Sequence, residues 1–449
     1  MEKDNFYKNL MNIAVPVALQ NLILSSINLA DVFMIGRLGE APLAALGLSN
    51  QIMFLMILLL FGINSGAGVF VAQFWGEKNI RAIHKVLGVA LISALLTSTV
   101  FFILTQTMPE LLIRVYSPDR EVIGYGGEYL KIVGWSYIAT SLTFVYSIQS
   151  RNVERAKIGL YSSIIALLVN VSLNYILILG KLGFPAMGVR GAATATLIAR
   201  TMECIFVLGY INYNESPLKS TIGEMLSFDR EFLRKYRKTT IPVILNEMLW
   251  AVGITTYSMV YARMSTTAIA VVNIVGSIER ITFTGFIGVA NATAVMVGKK
   301  IGEKREDIAI EYANKLGSIS FLLGLGGSLI LFLAARPILQ IYDLSNDVFK
   351  LSLSTMYVLC LFLPFKSFNA TNVVGILRAG GDTKYCLIMD VAALWAIGVP
   401  LAYFGGLKFG FPVYLVFALA LSEELLKFFV GVRRVISKKW IRNLVEDFV

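Results

Sequence analysis

Long apolar stretches separated by short polar ones run through the whole chain. Twelve of the stretches reach the roughly 20 residues a helix needs to cross a bilayer. They lie near 9–36, 43–74, 82–106, 122–149, 158–180, 189–212, 237–263, 268–298, 309–335, 350–376, 384–405 and 411–432. The first follows a short charged start, carries Asp31 and lacks a clear cleavage site, so it reads as a mature helix and not a signal peptide. The expected fold is an all-α integral membrane protein with twelve transmembrane helices.

The longest connection, residues 213–236, holds Pro217, Lys219, Arg230, Arg234 and Lys235 and reads as a cytoplasmic linker. It separates an N-terminal six-helix lobe, 1–212, from a C-terminal one, 237–449. An internal repeat supports that division. Shifted by 226 residues, 16–78 aligns without gaps on 242–304, with 12 identities in 63 positions. Pro16 falls on Pro242, Arg37 on Arg263, Gly62 on Gly288, and Gly76-Glu77-Lys78 on Gly302-Glu303-Lys304. At a shift of 227, Arg151 meets Arg378. Six helices per half is an even number, so both halves enter the membrane from the same side. The repeats are therefore parallel, related by an axis along the membrane normal, as suits two bundles that rock about a shared cavity. Pro16 and Pro242 sit early in the first helix of each half, where a missing backbone donor can form a kink or hinge.

Composition narrows the function. Of the 449 residues 56% are hydrophobic and 15% charged, against about 25% charged in soluble domains. The surplus apolar surface has to face lipid. One histidine, His84, excludes histidine-rich metal sites and argues against a histidine-based triad. Cys204, Cys360 and Cys386 lie far apart in apolar runs and read as small buried hydrophobes. The net charge of +11 does not point to nucleic acid. Only nine basic residues fall at odd-numbered loops: Arg37, Arg114, Arg120, Lys181, Arg190, Arg263, Arg336, Lys350 and Lys408. Most others gather at the N-terminus, the even-numbered loops and the tail, which places both termini in the cytoplasm.

Three motifs carry a family resemblance. The first span ends in Asp31-Val32-Phe33-Met34-Ile35-Gly36-Arg37-Leu38-Gly39. The fifth has Asn170 and Asn174 four apart, followed by Gly191-Ala192-Ala193 and Ala195-Thr196. The tenth loop reads Leu377-Arg378-Ala379-Gly380-Gly381-Asp382-Thr383. Together with the 6+6 layout these resemble the MATE family of multidrug and toxic-compound extruders, over essentially the whole chain. The resemblance implies secondary antiport, in which organic, mostly cationic and amphipathic compounds leave as Na⁺ or H⁺ enters, with no cofactor beyond the coupling ion. It also implies a multi-pass protein of the cell (inner or cytoplasmic) membrane, expected to act as a monomer.

Candidate site residues follow from depth and chemistry. An ionised carboxylate in the membrane costs about 2.5–3.5 kcal/mol on insertion scales and tends to face a cavity. Asp31 lies roughly 33 Å along its helix from the cytoplasmic start, in the outer half. Asn170, Asn174 and Thr196 reach the same depth, and with Asp31 they form a hard-oxygen set suited to Na⁺. The asparagines also fit plain interhelical hydrogen bonding. Part of the family has an aspartate where this chain has Asn174, so a single acid remains in that bundle. In the second lobe Glu247 resembles the family's span-seven glutamate, with Arg280, Lys366 and Asn369 near its depth. Glu247 could couple ions there, or form an ion pair with Arg280 or Lys366. Arg200 with Glu203, and Glu423 and Glu424 with Lys427, have helical pair spacing and read as local pairs or snorkelling groups. Arg378 and Lys384 are expected at headgroups, and Asp382 or Thr383 as a helix cap.

Competing functions have weaker marks. No HExxH, GxSxG or Walker A pattern occurs, which argues against a membrane enzyme and against ATP-driven pumping. A lipid-linked precursor flippase of the same wider superfamily is the alternative, and a non-transporting scaffold would not need Asp31 and Glu247. Reporter fusions at the N-terminus, within 213–236 and at the C-terminus are expected to read cytoplasmic. An external signal from any of them would overturn the twelve-span map.

Overall fold

The computed structural model describes residues 3–342 and 344–446. Among them every regular element is helical, and each of the twelve expected spans is present. Spans one to three are α1 (Lys3–Gly36), α2 (Glu40–Glu77) and α3 (Ile80–Thr107). A short helix, α4 (Pro109–Arg114), precedes span four, which is two helices, α5 (Arg120–Val133) and α6 (Ser136–Asn152). Then come α7 (Lys157–Leu179), α8 (Gly188–Tyr213) and the one-turn α9 (Ile222–Met225). The second half has α10 (Arg230–Met264), α11 (Thr266–Gly302), α12 (Glu306–Gln340) and α13 (Asn346–Ala370). Span eleven is α14 (Thr383–Ala393) and α15 (Val399–Tyr403), and span twelve is α16 (Val413–Ile436).

Ten of these crossings are long and apolar enough to be recognised from length and composition alone. The other two have local reasons. Span four breaks at Gly134–Trp135 into pieces of 14 and 17 residues. Span twelve carries Glu423, Glu424 and Lys427 in its middle. Wide π turns occupy Thr371–Leu377, Leu394–Gly398 and Phe404–Lys408. Such turns reset which face the following residues present and often occur at functional positions. The first delivers Arg378, whose amide donates to Val373 O at 3.2 Å.

Packing divides the chain into two units. One comprises Leu19–Val71 and Asn79–Tyr236; the other comprises the residues up to Ala18, Ala72–Lys78 and the chain from Arg237 onward. Within the first, α7 and α8 approach closely. A side chain at Gly191 would meet Leu177 O at 2.6 Å, and the turn between them closes through Met187 N–H to Leu177 O at 2.8 Å. Gly180 ends α7 at φ +64, a left-handed position natural to glycine. The lone histidine anchors the long connection: His84 Nε2 lies 3.0 Å from Pro217 O and therefore donates to it. Nearby, Thr221 and Glu224 form a reciprocal capping box, and the Thr221 donors hold the Glu224 carboxyl below its ordinary range.

The repeat has a physical counterpart in the second unit. A side chain at Gly76 would strike Lys299 O, and one at Gly302 would strike Gln73 O. Residues 73 and 299, like 76 and 302, are equivalent at the 226-residue shift. The contact is thus reciprocal, as a two-fold relation requires. The same unit has a core of Val271, Val275, Leu331, Leu359, Leu363 and Val416.

The α7–α8 contact gives a controlled test. Gly191→Leu is expected to lower stability by about 1–3 kcal/mol through overpacking. Gly209→Leu, on the same helix with nothing within 4 Å, should leave it unchanged. Thermal unfolding in detergent compares the two, and equal midpoints would refute the close approach.

Candidate functional site

In the first unit the four oxygen-bearing residues read from the sequence form one chain of hydrogen bonds. Asn174 Nδ2 donates to Asp31 Oδ1 at 2.5 Å and to Asn170 Oδ1 at 3.0 Å. Asn170 Nδ2 donates to Thr196 Oγ1 at 3.4 Å. All four residues are buried. The spacing of Asn170 and Asn174 puts them one turn apart on α7, so that a single face meets both α1 and α8. Among the described residues no base lies within ion-pair distance of Asp31; Arg200, the nearest by charge, is held by Glu203 at 2.8 Å. Asn174 Oδ1 is buried and accepts nothing. A carboxylate without a counter-charge beside a free amide oxygen is a setting for a small cation or a proton.

Tyr129 belongs to this site as well. It is buried on α5, beside Asp31 and Thr196. Nothing in the sequence separates it from the other 18 tyrosines; the packing of α5 on α8 puts it there.

The second unit arranges its charges differently from the sequence expectation. Glu247 does not pair with Arg280 or Lys366. It pairs with Arg378, Nη1 to Oε1 at 2.7 Å, and Arg378 is buried, not at headgroups. The π turn ahead of Arg378 accounts for this, since it turns the side chain into the bundle. Lys366 pairs with Glu279. Asn369 Nδ2 donates to Glu424 O at 2.8 Å and Glu424 Oε2 at 2.7 Å. Arg280 is exposed and donates to Ser277 Oγ at 2.9 Å. The four second-lobe residues therefore fall into separate partnerships and not one cluster. Asp382 precedes α14 but makes no capping bond with its side chain; it binds Arg434 at 2.6 Å and Arg442 at 2.7 Å. Lys427 does not snorkel. It is buried, 2.7 Å from Asp390, a residue the sequence reading passed over. The pairing of Arg200 with Glu203 is as expected, and all three cysteines are free and buried.

Comparison with known proteins bears on what these sites do. The sequence profile described as MatE matches residues 16–176 and 242–404. The uncharacterized transporter YisQ of Bacillus subtilis is 25% identical over 443 residues, which is 97% of this chain and 95% of that protein. The probable multidrug resistance protein NorM of Thermotoga maritima is 24% identical over 400 residues, 88% of this chain and 85% of its own. A solved structure described as the outward-facing conformation of a multidrug resistance MATE family transporter of the MOP superfamily has the same fold. Its TM-score is 0.85 at 20% identity, covering 96% of each chain.

The Glu247–Arg378 pair makes a structural prediction. Glu247→Gln leaves a buried guanidinium without its carboxylate and is expected to cost about 3–5 kcal/mol. Glu247→Gln combined with Arg378→Met should recover most of that loss. Thermal unfolding decides, and a double variant as unstable as the single one would show that the pair is not the cause.

Proposed function

The chain belongs to the MatE family, and on that premise we propose that it is a secondary multidrug antiporter working by alternating access. Organic compounds, mostly cationic and amphipathic, leave as Na⁺ or H⁺ enters. We place it in the cytoplasmic membrane as a monomer with both termini inside. The moving parts are lobes 1–212 and 237–449, joined by 213–236. Family membership makes it a transporter and does not favour the flippase alternative.

One observation carries this reading: among the described residues Asp31 is a buried acid with no basic partner, next to the unpartnered Asn174 Oδ1. Such a carboxylate is stable once it binds a monovalent cation or a proton, and either removes its charge. Na⁺ would take oxygens of Asp31 and Asn174, with Asn170 and Thr196 completing the shell as their mutual hydrogen bonds are given up. A proton needs none of these. We favour Na⁺ on that donor set. Loss of charge at Asp31 lets α1 repack about Pro16 and release substrate outward. Of the second-lobe residues we assign Arg280 to face substrate, while Glu247, Lys366 and Asn369 act from their separate pairs with Arg378, Glu279 and Glu424. Arg280 fits that role, since an exposed guanidinium at mid-span must face water.

The test uses proteoliposomes with separately imposed Na⁺ and pH gradients. Asp31→Asn is expected to insert normally and lose gradient-driven efflux at least about tenfold, a change worth about 1.4 kcal/mol. Asn174→Ala should weaken Na⁺-driven transport and spare any proton-driven part. Wild-type efflux by Asp31→Asn would remove the acid from the mechanism. No response to a Na⁺ gradient at fixed pH would reject Na⁺.

A further inference from the structure

Around Lys427 the second unit sets three carboxylates against one ammonium. Lys427 Nζ lies 2.7 Å from Asp390 Oδ1, 3.4 Å from Glu423 Oε1 and 4.0 Å from Glu424 Oε1. The next positive charge, Lys366 on α13, is committed to Glu279 of α11. Arg378 lies beyond Asp390, paired with Glu247 of α10. Tyr257 of α10 flanks Glu423, but its hydroxyl donates to Ala420 O at 3.3 Å. With all acids ionised, the set would hold two negative charges in excess at a place from which water is largely excluded.

The three acids are not equivalent. Asp390 is satisfied on both oxygens, by Lys427 and by Asn246 Nδ2 at 3.0 Å. Glu424 accepts from Asn369 Nδ2 at 2.7 Å. Among the described residues Glu423 has only the longer contact to Lys427 on one oxygen, and its Oε2 is buried without a donor. A buried carboxylate oxygen lacking any donor is the costliest member of such a set. Two further acceptors nearby have no partner: Oδ1 of Asn246 and Oδ1 of Asn369, both on amides already fixed to the other two acids. Hence the set is short of hydrogen donors and long in negative charge, and a proton corrects both.

We infer that Glu423 is a proton-binding site of the second unit, separate from Asp31, carrying one proton while Asp390 and Glu424 stay ionised around Lys427. The step is the addition of H⁺ to Glu423 Oε2, which converts an orphan acceptor into a donor and removes one of the two surplus charges. A metal ion is the poorer occupant, because Lys427 already fills the position where the oxygens converge. Among the described residues no group of three acidic, histidine or cysteine side chains has the arrangement of metal ligands. The inference concerns proton binding and does not depend on the transport reading.

Infrared titration of the full-length protein in lipid tests it. In Asp31→Asn, which removes the first-unit acid, a protonated-carboxyl band is expected to persist at neutral pH and to fade as pH rises. ¹³C-carboxyl glutamate should shift that band, and labelled aspartate should not. Asp31→Asn/Glu423→Gln, with thermal unfolding as the check on folding, should abolish it. Absence of the band from Asp31→Asn, a shift with aspartate label only, or survival of the band in the folded double variant would each overturn the assignment. The isotope readout needs no variant at Glu423: even if Glu423→Gln misfolds, a band that shifts with labelled aspartate alone overturns the assignment.

Discussion

A hydrocarbon core offers no water to a polar group, so each such group must find its partner within the protein. Most of the polar architecture follows from that constraint. Buried serines and threonines donate to carbonyls one turn back, as Ser49 does to Ala45 O at 2.8 Å. Charged side chains are drawn into pairs: Glu247 with Arg378, Glu279 with Lys366, Asp382 with two arginines. Two acids at membrane depth stand out among the groups where the rule is left incomplete. Among the described residues Asp31 has an amide and no base, and Glu423 has one oxygen with nothing to accept from.

The two units meet this constraint by different means. The first has few charges at membrane depth and leaves a single acid among amides and hydroxyls, an arrangement whose charge state is open to a small ion. The second pairs its buried bases Lys366, Arg378 and Lys427 with acids and keeps acids in surplus around Lys427. A buried ion pair contributes little net stability but is costly to break. The second unit is therefore held by charged pairs and carries its adjustable charge at Glu423, whereas the first carries its own at Asp31. The shared framework is visible in the reciprocal Gly76 and Gly302 contacts. Divergence lies in the side chains: Gln20 and Asn21 occupy the positions that match Asn246 and Glu247.

Where the chain departs from regular α-helix, it does so to aim particular side chains. The packing of α5 on α8 sets Tyr129 beside Asp31. The π turn at Thr371–Leu377 sends Arg378 inward to Glu247. Extra backbone carbonyls freed by such turns are tolerated because neighbouring helices cover them.

The sequence alone determined the twelve crossings, because about 20 apolar residues can do little else in a chain this poor in charge. It also determined the repeat, and once the family motifs had marked Asp31, Asn170, Asn174 and Thr196 it put them at one depth, because helical period and depth along a span are readable as counts of residues. Those two measures say nothing about how a helix is rotated against a distant one. The partner of Glu247 was out of reach for that reason: Arg378 is 131 positions away and sits behind a π turn that shifts its face. Asp390 and Tyr129 were likewise unremarkable in sequence, an acid late in an apolar run and one tyrosine of 19. Only the tertiary packing of α14 on α16, and of α5 on α8, placed them in contact with the charges they serve. Spacing fixes what one helix offers, whereas pairing depends on the azimuth and register of two, which are set by the packing of many side chains at once.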